Sequence, residues 1–122
     1  MNDVPYKEKY TFDERCERAK TMLQKYSNKI PIILIPEKDV KLRSTQFLVE
    51  RDMTFAQFIC LVRKNYAEEL KSSEAIFCIV NKTLPPNSCM LYEIYNEHRE
   101  DDNTLYIHIK KESTFGYGGF GF

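Results

Sequence analysis

The chain has 122 residues, about one domain and enough for a modest core. Its hydrophobic fraction of 43% and charged fraction of 30% are those of an ordinary soluble globule. Lys plus Arg equal Asp plus Glu at 18 each, so no global charge draws it to nucleic acid or to an anionic membrane. Its longest apolar run, Ile32 to Ile35 between Pro31 and Pro36, is too short to span a bilayer. Met1 to Pro5 lacks an apolar leader, and no cysteine stands at the C-terminus for prenylation.

Residues 1–10 place Tyr6 and Tyr10 among Lys7, Glu8 and Lys9 and suit a brief helical turn. Thr11 and Glu14 form a capping box, each side chain satisfying a free backbone N–H of the first turn. Phe12, Cys16, Ala19, Leu23 and Tyr26 recur at helical spacing, so an amphipathic helix runs to about Lys25. Its polar face carries Asp13, Glu14 and Glu17 beside bases, which favours packing on the chain's own sheet over a membrane surface.

Ile30 to Ile35 is β-branched and apolar on both faces, the pattern of a central strand covered on both sides. Pro36 to Asp39 is a turn, and Gln46 to Val49 is the returning strand, an edge with unpaired backbone groups. A second capping box, Thr54 with Gln57, precedes Phe55, Phe58, Ile59, Leu61, Val62 and Tyr66. That helix is apolar around most of its circumference and is expected to be buried. Ile76 to Val80 reads as a third strand. Pro85-Pro86 interrupts the chain, and Asn87 or Ser88 caps a short helix through Leu91, Ile94 and Tyr95. Leu105, Ile107 and Ile109 alternate with Tyr106, His108 and Lys110, a half-exposed strand or one with polar neighbours.

This order describes an α+β fold: the ubiquitin-like β-grasp, with an additional N-terminal helical segment. The first and last strands suit parallel pairing, which leaves the C-terminal tail projecting from the sheet's end. The expected boundaries are an N-terminal helical extension at 1–26, a β-grasp at 27–116 packed with it as one unit, and a removable tail at 117–122.

All four glycines fall in the last seven residues, at Gly116, Gly118, Gly119 and Gly121. A glycine-free body with a glycine-rich end reads as a compact domain carrying a thin, flexible tail. Such a tail can enter a narrow groove and offer its carbonyls to attack. Cys16, Cys60, Cys78 and Cys89 are scattered with no CxxC pair. They read as reduced cytosolic cysteines packed as small hydrophobes. Cys89 and His98 lie on or near one short helix at a spacing that does not set nucleophile beside base. The cysteines and the two histidines lack metal-ligand spacing. The chain is therefore not expected to be an enzyme, and no metal or cofactor is expected.

Several stretches, in order along nearly the whole chain, resemble the autophagy ubiquitin-like modifiers, the family that includes GABARAP and light chain 3. They are Tyr6-Lys7-Glu8, Lys29-Ile30-Pro31-Ile32-Ile33, Phe47-Leu48-Val49, Asp52-Met53-Thr54-Phe55-Ala56-Gln57-Phe58, Leu61-Val62-Arg63-Lys64, Val80-Asn81, Leu84-Pro85-Pro86, Leu105-Tyr106-Ile107 and Glu112-Ser113-Thr114-Phe115-Gly116. The resemblance implies cleavage by a family cysteine protease after a glycine that follows an aromatic residue. Activating and conjugating enzymes then carry the new carboxylate to the amine of phosphatidylethanolamine. The matching pair is Phe115-Gly116, so the cut falls at the bond to Tyr117. Phe120-Gly121 repeats the pattern and leaves Gly121 as an alternative. A glycine acyl carbon has no side chain to hinder attack, and the lipid supplies the membrane anchor the sequence lacks. The implied location is the cytoplasm and the periphery of autophagosome-type membranes. A non-conjugated peptide-binding adaptor and a modifier of protein lysines remain as alternatives.

The resemblance also implies recognition of aromatic-x-x-aliphatic peptides, added as a strand beside Gln46 to Val49. Met22, Pro31, Ile33 and Leu48 are the candidate aromatic pocket. Phe47, Val49, Met53, Phe58 and Leu61 are the candidate aliphatic one, and Lys29 is a candidate contact for acidic flanks. Phe77 matches an aromatic position used toward the processing enzymes. The departures are Ser44-Thr45-Gln46 where bases often stand, Asn65 for a base, Ile79 for a second aromatic and Thr104 for a long apolar residue. Fewer charges at the edge imply a weaker preference for acidic flanks.

Overall fold

Strand β1, Lys29–Pro36, is the axis of the molecule. In the computed structural model, which describes residues 4–66 and 74–113, it lies inside a four-stranded sheet of order β2-β1-β4-β3. The other strands are β2 at Gln46–Glu50, β3 at Glu74–Ile79 and β4 at Leu105–Ser113. β1 pairs parallel with β4 and antiparallel with β2, while β3 pairs antiparallel with β4. β2 and β3 are thus the two edges. The double-sided apolar pattern of β1 is explained by this position: Ile30 through Leu34 are all buried.

Alternation along the strands divides the core. Ile30, Ile32 and Leu34 join Leu105, Ile107, Ile109, Ile76 and Cys78 on one face. Against it pack helix α3, Phe55–Lys64, through Phe55, Phe58 and Val62, and helix α4, Leu91–His98, through Leu91, Ile94 and Tyr95. The opposite face presents Pro31, Ile33 and Tyr106, and helices α1, Tyr6–Lys9, and α2, Phe12–Lys25, cover it.

Both expected capping boxes form. Thr11 Oγ1 accepts from the Glu14 N–H at 3.1 Å, and Glu14 Oε1 accepts from the Thr11 N–H at 2.8 Å. Thr54 and Gln57 do the same at 3.1 and 2.9 Å. The apolar stripe of α2 is narrower than its spacing predicts. Ala19 is buried, but Phe12 and Tyr26 at its ends are exposed. α3 is not buried all round: Gln57, Cys60 and Lys64 face out.

α4 begins later than its sequence implies. Neither Asn87 nor Ser88 caps it. Met90 is the N-cap residue, with its N–H held by Glu93 Oε1 at 2.9 Å. The Leu91 and Tyr92 N–H groups donate to the carbonyls of Met53 at 2.8 Å and Arg51 at 3.0 Å. Reciprocally, the Phe55 and Ala56 N–H groups of α3 donate to the carbonyls of Cys89 at 2.8 Å and Asn87 at 3.1 Å. Each helix start is capped by the segment leading into the other.

Without glycine in the body, left-handed turns fall to other residues. Asn81 and Lys82 take φ of 50° and 66° in a tight reversal closed by Val80 and Thr83, and Asn103 takes 64°. Asn tolerates this region; Lys82 pays a steric cost of about 1–2 kcal/mol. In β4 the expected polar alternation holds for His108 and Lys110 but fails at Tyr106, which is buried under α1.

Candidate functional site

A cleft of about 230 Å³ opens between α2, Tyr6 of α1 and the β1–β2 pair. All four residues expected around an aromatic side chain, Met22, Pro31, Ile33 and Leu48, line it. Register explains why they meet. Pro31 lies opposite Leu48 in the β1–β2 ladder, Ile33 is two residues on with its side chain on the same face, and Met22 comes down from α2 above them. Ala19, only 3% exposed, stands one helical turn from Met22 and lets the helix approach the sheet.

Gln46, at the start of the expected peptide edge, also lines the cleft, together with Tyr6 and Arg18, which the sequence does not mark as site residues. Arg18 ties them together. Its Nε donates to the Tyr6 hydroxyl at 3.1 Å, one Nη donates to Gln46 Oε1 at 3.0 Å, and its guanidinium lies 4.2 Å from the centre of the Tyr10 ring. A cation therefore stands at the mouth, held by neutral oxygens and rings. The available signal was helical spacing, which puts Arg18 one turn before Met22 on the same face.

The edge beside the cleft has a definable polarity. Leu34 N–H donates to the Thr45 carbonyl at 2.8 Å, so alternation turns the backbone groups of Ile32 and Ile30 toward Phe47 and Val49. The backbone N–H and C=O groups of Gln46 and Leu48 then face away from β1, where β2 has no strand neighbour among the described residues. The same alternation puts the missing N–H of Pro31 on the β4 side, just before β1–β4 pairing starts at Ile32 and Leu105. Proline costs no ladder bond there.

The aliphatic set lies toward the opposite face of β2, although Phe47 also lines the cleft. Phe58 is fully buried, its ring edge-on to Phe47 at 6.3 Å and stacked on Phe55 at 6.5 Å. Val49 is buried as well. These two are core, and only half-buried Phe47, Met53 and Leu61 have surface to offer. Lys29 does not line the cleft. It sits 4.0 Å from Glu50 and over the Tyr26 ring at 5.8 Å. Phe77 is half-buried on edge strand β3, on the face away from the main core. Phe115, Gly116, Tyr117 and Gly121 lie outside the described residues.

A buried network fixes the helices that build the cleft. Asp102, 1% exposed, accepts from Arg15 Nε at 2.9 Å, from the Tyr106 hydroxyl at 2.5 Å and from the Thr104 N–H at 3.0 Å. Arg15 also donates to the Tyr10 and Lys7 carbonyls at 2.9 and 3.4 Å. The Asp102 hydrogen bond holds the Arg15 guanidinium's pKa above its usual value, and burial, then the Asp102 carboxylate, push the Tyr106 phenol up. One carboxylate thus holds α1, the α1–α2 link, α2 and β4 together.

Among the described residues no cluster of His, Cys, Asp or Glu is placed to hold a metal, and the four cysteines are free. Cys78 is buried as expected, but Cys60 is exposed on α3. Among the described residues no helix is long and apolar enough to cross a membrane.

Fold and edge together define a ubiquitin-like protein with an N-terminal helical layer. A family model described as "Autophagy protein Atg8 ubiquitin like" matches residues 14–116. The chain is 35% identical over 119 residues to autophagy-related protein 8 of Candida glabrata, covering 92% of this chain and 96% of that one. It is 35% identical over 114 residues to the protein of the same name from Coccidioides immitis, covering 91% and 96%. The crystal structure of Trypanosoma brucei ATG8 superposes with a TM-score of 0.79 at 30% identity, covering 94% of this chain and all of that one. The chain belongs to the Atg8 family of ubiquitin-like autophagy proteins. Like the ubiquitin-like proteins of that family, this chain is not an enzyme.

Proposed function

We propose that the protein is a membrane-conjugated modifier that recruits partners through the β2 edge. A family cysteine protease cuts the bond between Gly116 and Tyr117. An activating enzyme joins the new Gly116 carboxylate to AMP from ATP, releasing pyrophosphate; its thiol displaces AMP, and the acyl group passes as a thioester to the conjugating enzyme and then to the amine of phosphatidylethanolamine. An amide forms and the carrier thiol leaves. The family match ends at Gly116, which supports Gly116 over Gly121.

The observation that carries the recruiting role is the open β2 edge with an apolar cleft beside it. A peptide strand pairs with the outward groups of Gln46 and Leu48 and lowers an aromatic side chain between Met22, Pro31, Ile33 and Leu48. Its aliphatic residue packs on Phe47, Met53 and Leu61, with Val49 and Phe58 behind. Lys29, held by Glu50, and Phe77, on the far edge, are the candidate contacts for acidic flanks and processing enzymes.

Mass spectrometry of the protein from cells tests the conjugation reading. The expected species ends at Gly116 and carries one phosphatidylethanolamine, and Gly116→Ala abolishes it. A mature end at Gly121, or an intact Phe122, rejects the Gly116 assignment. An adduct on protein lysine redirects the chemistry to a protein acceptor. If Gly116→Ala leaves membrane localisation unchanged, the protein is a non-conjugated adaptor.

A further inference from the structure

The floor of the cleft beside β2 is apolar except at one residue. Thr104, which directly precedes β4, lines it together with Pro31, Ile33 and Leu48. Leu105 and Ile107 turn into the main core, so alternation turns Thr104 and Tyr106 toward the α1–α2 layer. Thr104 is 2% exposed, and both of its backbone groups are committed. Its N–H donates to Asp102 Oδ1 at 3.0 Å, and its carbonyl accepts from the Glu100 N–H at 3.0 Å. Its hydroxyl makes no hydrogen bond among the described residues and is not sealed away as a buried orphan. Its donor and its acceptor are therefore open to whatever fills the cleft.

The mouth has the opposite character. Among the described residues Arg18 is the only charged residue that lines the cleft, and no carboxylate pairs with it. The two side-chain oxygens beside it, the Tyr6 hydroxyl and Gln46 Oε1, already accept from its Nε and Nη. A further N–H brought to this rim meets a cation and acceptors in use. The cleft thus offers an open hydroxyl at its floor and spent acceptors at its rim. The three aromatic side chains differ in what they bring to those two places. Phenylalanine has no polar atom. Tryptophan has one N–H, a donor only, on the flank of its ring system. Tyrosine has a hydroxyl that both donates and accepts, at the tip of its ring.

We infer that Thr104 is a specificity-determining residue that makes this cleft a tyrosine pocket: the phenol of a partner peptide reaches the floor and exchanges a hydrogen bond with the Thr104 hydroxyl. The inference rests on the reading of the β2 edge as a peptide site, and it narrows the partners to tyrosine-x-x-aliphatic segments. A phenylalanine ring seated in the cleft takes water from the Thr104 hydroxyl and returns no hydrogen bond, which penalises it. Tryptophan suffers the same loss and also sets its N–H against Arg18. The preference thus comes from one hydroxyl at a position where a long apolar side chain would have closed the floor.

The test is calorimetric titration of the full chain with three synthetic peptides of one sequence that differ only in carrying tyrosine, phenylalanine or tryptophan at the aromatic position. The tyrosine peptide is expected to bind about five- to tenfold more tightly than either of the others. Thr104→Val keeps the shape of the side chain and removes the hydroxyl. It is expected to bring the tyrosine peptide down to the level of the phenylalanine peptide, while the phenylalanine peptide keeps or gains affinity, a split that a general disturbance of the cleft does not produce. Thr104→Ser, which keeps the hydroxyl, retains the preference. Arg18→Gln, which puts an acceptor in place of the cation, raises the tryptophan peptide relative to the phenylalanine one by about threefold; an unchanged ratio rejects the part assigned to the rim. Phenylalanine or tryptophan binding as tightly as tyrosine overturns the assignment, and so does a tyrosine preference that survives Thr104→Val. Failure of all three peptides to bind the unaltered chain rejects the underlying peptide site, and is seen before any variant is compared.

Discussion

Asp102 accepts three hydrogen bonds at a position closed to water, and two of its donors belong to the layers it joins. Removing its charge strands the Arg15 guanidinium, whose side chain is 13% exposed. Breaking such a pair from one side costs about 3 kcal/mol. Asp102→Asn is expected to lower stability by that order in urea denaturation. It also weakens binding of the aromatic core peptide, although Asp102 does not line the cleft, because Tyr6 and α2 lose their seating. Cys78 makes a different contribution. Burial pushes its thiol up to about 12, and burial likewise pushes the Tyr66 phenol up to about 12. In both, the folded chain holds its proton above the pH at which the unfolded chain loses it. Stability from these groups is therefore full below about pH 9 and falls toward about pH 12, by roughly 1.4 kcal/mol per unit for the thiol above about pH 9 and for the phenol above about pH 10. Cys78→Val is expected to make thermal unfolding less sensitive to pH across that range while leaving the melting temperature near neutral pH almost unchanged.

At the level of elements, α2 depends on a small residue at its contact with the sheet. Ala19→Leu forces extra volume between α2 and β1, at a cost of about 1–3 kcal/mol. The expected result is a lower melting temperature together with weaker binding of the core peptide. Much of the element list was readable from residues alone. The capping boxes at Thr11 and Thr54 are local, and so is the double-sided apolar run of β1. The resemblance groups Met22, Pro31, Ile33 and Leu48, and in the fold these four line one cleft. Other features depend on partners far along the chain. Nothing near Asn87 announces that α4 is capped by Arg51 and Met53. Nothing near Tyr106 announces that α1 covers it. The Arg15–Asp102 pair spans 87 positions, and Arg18 could be assigned to the cleft mouth only once Tyr6, Tyr10 and Gln46 had been brought around it. The helical pattern suits Phe58 to core and the resemblance to the pocket, and in the fold it is fully buried against Phe47 and Phe55.

On the scale of the whole molecule, the sheet is a platform with two unlike coverings. The α1–α2 layer is seated by polar bonds to one carboxylate and leaves the cleft along its margin, while α3 and α4 lie over the main core. The reciprocal arrangement at the starts of α3 and α4 has a consequence for how that second covering opens. Residues 51–56 and 87–92 supply each other's terminal acceptors, so neither helix keeps a satisfied beginning when the other departs. The two should leave the sheet in one cooperative step rather than fray separately. Native-state hydrogen exchange would then report a single opening free energy for the amides of Phe55, Ala56, Leu91 and Tyr92. Thr54→Ala, which weakens only the α3 cap by about 1 kcal/mol, should lower protection at all four amides together, including the two on α4.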